Sequence, residues 1–260
     1  MPNTKTDKMN RVRIKIVFLG TFPYLKVLDN IKSWKSDLFE IVDVNSTFNI
    51  VGNSDGPNWY YSDVNMERQI PSRSDSDILL AITNVRLQEN FYMRRYNDNR
   101  ICLTYHQMTN ILKSENIPME NLILRVLYSV LLLYKRYGNR VPPSSEYTNY
   151  THDDTRGCLF DMNGIKTNII YSLDKPNLCP SCVEALMTNH ENRENRIEKE
   201  LIEKVQKELQ KIRKKSYYRI ADFIKKYPVL SIAISAISAL VIGILGSMIS
   251  NFLWNLFNLS

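Results

Sequence analysis

MENLILRVLYSVLLLYKRY, residues 119–137, is apolar nearly all the way round a helix, which marks the central helix of a core. Gly138 and the Pro142–Pro143 pair stop it. The segments before it read as the strands and helix that cover it. RVRIKIVFLG (11–20) alternates Ile14, Ile16 and Phe18 and closes on Gly20, the pattern of a buried strand. FEIVDV (39–44), DILLAITNVRL (77–87) and RICLTYHQM (100–108) read as three more. Residues 24–38 place Leu25, Leu28, Ile31, Trp34 and Leu38 three or four apart, an amphipathic helix. The stretch 45–76, rich in Asn, Ser, Asp, Gly and Pro, reads as a long loop with a short strand at WYY (59–61). No GxGxxG or GxxxxGK phosphate loop occurs.

Beyond the core helix, three of the four cysteines and one of the three histidines fall between HDDTRGC (152–158) and CPSC (179–182). A CxxC turn presents two thiolates at the separation a tetrahedral zinc needs, and a distant second pair completes the set. Cys179 and Cys182 form the turn, and His152 and Cys158 are the second pair. Lys166 and Lys175 lie near enough in sequence to offset thiolate charge. Arg156 and Asp161 flank Cys158 and read as a salt bridge or as support for the metal turn. Asp153 and Asp154 read as solvated or capping residues. The competing readings are a CxxC disulfide, disfavoured in a cytoplasmic chain, and unrelated core cysteines, which is the reading for Cys102.

The fold class expected is therefore α/β: a mixed sheet with a central core helix and a zinc-stapled C-terminal segment, then a helical stalk and one transmembrane helix. The divisions are a disordered N-terminus over 1–10, the α/β domain over 11–187, a basic amphipathic helical stalk over 188–226 and a transmembrane segment over 227–260. In the stalk Ile202, Val205, Leu209 and Ile212 follow 3-4-3 spacing, a short coiled-coil seam.

The net charge of +7 is concentrated in KIRKKSYYRIADFIKK (211–226), seven Lys/Arg against one Asp. Beside an apolar segment such a cluster points to a membrane surface and away from nucleic acid. After Lys226 the last 34 positions carry no charge, and VLSIAISAISALVIGILGSMIS (229–250) is long enough to cross a bilayer. MPNTKTDKMNR has no apolar core and is not a signal peptide. The expectation is a single-pass, tail-anchored chain whose soluble domain faces the cytoplasm. Ser231, Ser235, Ala239, Gly243, Ser247 and Asn251 recur at every fourth position, a row that lets helices approach closely and predicts a homo-oligomer.

On strand order and cysteine spacing, residues 11–187 resemble the archaemetzincins, zinc-dependent metalloproteases. DILLAITNVRL is similar to their strand ending in a V/I-T-D-V-D-L type motif, with Asn84 where an Asp is usual. RICLTYHQM is similar to the strand that follows. HDDTRGCLFDM resembles their short HC-x4-C-x-M segment, and CPSC its closing pair; the resemblance implies a structural zinc on Cys158, Cys179 and Cys182. His152 departs, replacing a cysteine one residue further away. RGCLFDMN with CPSC also resembles a motif of uncharacterised bacterial proteins. The family's active-site helix carries HExxH and a third His, whereas the helix here has no His, Asp or Glu between Leu122 and Gly138. A hydrolytic zinc needs three protein ligands and a base, and only His106 and His190 remain. The reading is a membrane-anchored, non-catalytic, protease-like domain acting as sensor or effector towards an unknown cytoplasmic ligand or protein partner; a role in bacterial defence fits that layout. The alternatives are a zinc hydrolase with unrecognised ligands and a membrane-tethered scaffold.

Overall fold

Alternating strand residues divide between two apolar layers, and that division fixes how the sheet is covered. The computed structural model describes residues 11–73, 75–188 and 195–257; the expected disordered segment 1–10, and His190, lie outside the described residues. Two units divide the chain, Met1–Arg213 and Lys214–Ser260. The first runs β1 (Val12–Leu19), α1 (Leu25–Ser33), β2 (Phe39–Phe48), β3 (Tyr60–Tyr61), α2 (Asp63–Gln69), β4 (Ile78–Thr83), β5 (Arg86–Leu87), β6 (Met93–Tyr96), β7 (Arg100–Thr104), α3 (Met108–Ser114), α4 (Met119–Arg136), α5 (Pro180–Met187) and α6 (Lys199–Leu209).

The main sheet has the order β2-β1-β4-β7-β6. β1 pairs in parallel with β2 and with β4, in register Ile14↔Ile78 and Ile16↔Leu80, and β4 continues in parallel to β7. β6 closes the edge antiparallel to β7, so the sheet is mixed. Val12, Ile14, Ile16 and Phe18 point with Ile78, Leu80, Ile82, Ile101 and Leu103 into the larger core, which α4 occupies. Val17, Leu19, Leu79, Ala81 and Cys102 face the other way, under Met66 of α2, Ile70, Leu87 and Tyr96. Cys102 is thus a core residue of the second face, where burial pushes its thiol pKa well above the ordinary value.

Every residue of α4 from Asn121 to Tyr134 is buried, the all-round burial its composition predicts. Its polar positions are all engaged. Asn121 donates to the Leu173 carbonyl at 2.7 Å. Arg125 donates to Ser172 Oγ at 2.7 Å and Tyr92 Oη at 2.9 Å. Arg136 donates to the carbonyls of Leu186, Thr188 and Asn195.

Three expectations are corrected. The stretch 45–76 is not one loop: β2 runs on to Phe48, and α2 forms where Ser62 Oγ accepts from the Asn65 amide at 3.2 Å and Met66 anchors the helix in the second core. β6 and α3 stand where no element was expected. Last, 188–226 is not one stalk. Residues 199–209 form α6, and Ile202, Val205, Leu209 and Ile212 are between 0 and 2% exposed in the larger core. The 3-4-3 stripe is a docking face and no coiled-coil seam. Glu208, 3% exposed, accepts from Ser36 Oγ at 2.6 Å, Tyr128 Oη at 2.5 Å and the Asp37 amide at 2.8 Å, which pins α6 to α4 and to the start of β2.

The second unit comprises α7 (Ser216–Lys226) and α8 (Pro228–Phe257), separated by Tyr227. Residues Pro228–Trp254 of α8, 27 residues, are long and apolar enough to cross a membrane.

Candidate metal centre

Four potential ligands converge because three short backbone devices hold them. In the first, His152 and Asp161 form an isolated parallel bridge: the His152 amide donates to the Phe160 carbonyl, and the Met162 amide to the His152 carbonyl at 3.0 Å. A second bridge joins Cys158 to Asn177, with Leu159 N to Asn177 O at 2.7 Å and Asn177 N to Gly157 O at 3.0 Å. Between them the chain turns through Arg156 (φ 59°) and Gly157 (φ 150°). A φ of this size is costly for any residue with a Cβ, which explains the glycine. The third device is the CPSC turn itself. Cys179 is the N-cap of α5, its Sγ accepting from the Cys182 amide at 3.5 Å, and Pro180 occupies the first turn.

The His152 Nε2, Cys158 Sγ, Cys179 Sγ and Cys182 Sγ atoms all lie within 4.8 Å of one another, close enough to hold a metal ion. His152 Nε2 is 3.4 Å from Cys158 Sγ and 3.5 Å from Cys179 Sγ, and Cys158 Sγ is 3.7 Å from Cys182 Sγ. Among the described residues this is the one group of three or more such side chains.

The electrostatics favour an anionic sulfur at the centre. Cys158 is held down to about 5 by hydrogen bonding from Cys182, then from the amides of Cys179 and Phe160 and from His152, against the opposing effect of burial. Cys182 is pushed up by the same contact with Cys158 and by burial. Burial works to lower the His152 pKa, but the Asp153 carbonyl, Cys158 and Asp161 outweigh it and raise it.

Asp161 organises the loop beneath. It is 4% exposed, and its two oxygens accept from Thr155 N (2.8 Å), Thr155 Oγ1 (2.9 Å), Gly157 N (2.9 Å) and Cys158 N (3.0 Å). Burial would raise its pKa; these four donors together lower it. Arg156 is not its partner: the guanidinium sits over the Tyr171 ring at 5.1 Å. Asp154 serves as a loop cap, accepting from Asn163 N and Asn168 Nδ2, both at 2.8 Å. The Lys166 ammonium does not face the sulfurs; it donates to the His106 carbonyl at 3.2 Å and Asn90 Oδ1 at 3.4 Å. His106 stands there at the end of β7, apart from the four ligands. Of the six small residues expected to line a membrane contact, Ser231 and Ser247 turn their hydroxyls back onto the carbonyls of Tyr227 and Ile244, both at 2.8 Å.

No family model and no curated protein matches the chain. Among solved structures it is similar to an archaemetzincin from Methanopyrus kandleri, at 15% identity and a TM-score of 0.44, over 69% of this chain and 96% of that one.

Proposed function

We propose that this chain is a membrane-anchored, non-catalytic domain stapled by one structural zinc, and that it acts as a sensor or effector whose α8 helices assemble. The carrying observation is the donor set. Zinc bound at about 2.3 Å from sulfur and 2.0–2.1 Å from nitrogen puts tetrahedral edges near 3.8 Å for S–S and 3.5 Å for S–N. Three of the six ligand-to-ligand distances are 3.7, 3.4 and 3.5 Å, and all six lie within 4.8 Å. His152, Cys158, Cys179 and Cys182 would hold the ion, which would supply cross-linking of the 152–161 loop to α5. Four protein ligands leave no position for a reacting water, so the site is a staple.

Supporting the non-catalytic reading, α4 offers no acid or imidazole between Leu122 and Gly138, and its buried Asn121 and Arg125 are committed to hydrogen bonds with residues 172–173 and Tyr92. The apolar span of α8 supports the anchor, with the Lys/Arg-rich side in the cytoplasm. The sensing role is proposed by analogy with its layout, a folded domain joined to a helix carrying a row of small residues, and bacterial defence is one setting for it.

Metal content of the purified full chain, by elemental analysis against protein concentration, tests this reading. One zinc per chain, lost in Cys179→Ser, is expected. Two would reopen a hydrolase; none would overturn the staple.

A further inference from the structure

The second unit contains a feature that an anchor does not require. α7 is two-faced to a degree that neither water nor hydrocarbon satisfies. At about 100° per residue, Phe223, Tyr227, Ile220, Ile224 and Tyr217 fall on one arc of about 120°. All five are exposed: 39, 43, 60, 49 and 76% respectively. Lys215, Arg219, Lys225 and Lys226 lie on the opposite side. The one acid of the helix, Asp222, is tied to Lys214 Nζ at 2.9 Å, so the cationic face is not offset by it. In water the apolar arc would stay wet; in hydrocarbon four cations would be stranded, and 11 residues are too few to span.

We propose that α7 lies in the plane of the bilayer interface, its apolar arc at the acyl boundary and its cations among anionic lipid headgroups. The inference rests on reading α8 as a membrane span. Three observations name the bilayer as occupant. A single residue, Tyr227, separates α7 from the span. That residue has non-helical angles (φ −131°, ψ 64°), so the helix axis breaks there and one helix can lie flat while the next crosses. Tyr217 and Tyr227, the first and last of the five in sequence, supply amphipathic rings that settle at headgroup level, and the Lys226 ammonium sits 5.2 Å over the Tyr227 ring. A large apolar moment, Lys/Arg on the polar face and aromatic residues on the other define an interfacial helix. Pairing with α7 of a second copy is the weaker fit, since three turns bury little area.

The test is a tryptophan scan of the full chain reconstituted in vesicles of phosphatidylcholine and phosphatidylglycerol with brominated acyl chains. The background is Trp254→Phe, whose residual signal from Trp34 and Trp59 is subtracted. Tyr217→Trp, Ile220→Trp, Phe223→Trp and Ile224→Trp sample one face; Tyr218→Trp, Asp222→Trp and Lys225→Trp sample the other; Leu245→Trp reports α8. The proposal expects the first set to be quenched roughly twofold or more above the second, as for a face sunk about 5–10 Å into the interface. If Leu245→Trp is quenched and no α7 position is, the proposal fails while the anchor stands, and self-pairing of α7 becomes the reading. If Leu245→Trp is not quenched either, the anchor itself is overturned and the proposal falls with it. Equal quenching of both faces would also overturn it, by placing α7 inside the hydrocarbon.

Discussion

Glu208 decides whether residues 199–212 belong to the domain or merely lead away from it. Replacing it by alanine removes three hydrogen bonds to a buried carboxylate, from Ser36 Oγ, Tyr128 Oη and the Asp37 amide. At about 1.5–3 kcal/mol for each bond to a charged group, the gross loss is roughly 5–9 kcal/mol. Removing the carboxylate also lifts its desolvation cost, several kcal/mol. The Tyr128 hydroxyl still accepts from Trp34 Nε1 at 3.0 Å and Ser36 Oγ from the amides of Leu38 and Phe39, so what is orphaned is three donors, the two O–H groups and the Asp37 amide. A net destabilisation of about 3–4 kcal/mol is expected, a large share of the roughly 5–15 kcal/mol that holds a domain together. With a urea slope of about 2–3 kcal/mol/M the midpoint falls by on the order of 1 M. Trp34 is the natural reporter, once Trp59 and Trp254 are changed to Phe, in equilibrium unfolding of the full chain in detergent micelles. Glu208→Ala with Tyr128→Phe should be less than additive, because the two removals share one bond. A midpoint shift equivalent to under about 0.5 kcal/mol, the value for a solvent-exposed helix, would refute the docked α6.

Three further outcomes follow from the geometry. Asp161→Asn, which weakens the acceptor for Thr155, Gly157 and Cys158 amides, should cost about 10–100-fold in metal affinity, read by competition with a chromophoric chelator. Lys166 is lowered from 10.5 to about 8 by burial and by Arg86, so between those values the unfolded chain binds the extra proton. Stability should therefore rise with pH across that window, and the rise should vanish in Lys166→Gln when unfolding is followed from pH 7 to 11. Gly243→Leu, in the row of small residues on α8, should abolish cross-linked oligomers in membranes while leaving zinc content unchanged; unaltered cross-linking would remove the assembly through that row.

The elements legible in the sequence were those whose signal is local. The alternation in β1 and the unbroken apolarity of α4 needed no partner to be read, and the spacing of His152, Cys158, Cys179 and Cys182 grouped four side chains that do lie within 4.8 Å of one another. What escaped depended on partners far along the chain. β6 carries Arg94 and Arg95 in a four-residue edge strand, and Arg94 is held by Asp63 through Nε at 2.8 Å and through Nη2; neither charge advertises a strand. The stripe Ile202, Val205, Leu209, Ile212 is the same signal for a coiled coil and for a docked helix. The deciding residue is Glu208, a carboxylate whose donors come from positions 36, 37 and 128. Proximity in sequence groups Lys166 with the thiolates, whereas its chain segment turns it toward His106.

The path by which the chain leaves the first unit runs against the loop that carries the candidate ligands. Just before Arg213, the Ile212 carbonyl accepts from the Lys175 amide at 2.7 Å, and Gln210 Nε2 donates to the Pro176 carbonyl at 3.2 Å. Two residues on, Asn177 is laced to Gly157 and Leu159 on either side of Cys158. A tug on the chain at residue 214 therefore enters at Ile212, crosses to 175–177 and arrives at the Cys158 loop. The candidate ligand cluster sits at the far end of that load path, where a bound ion would act as a strain relief against tension arriving from residue 214.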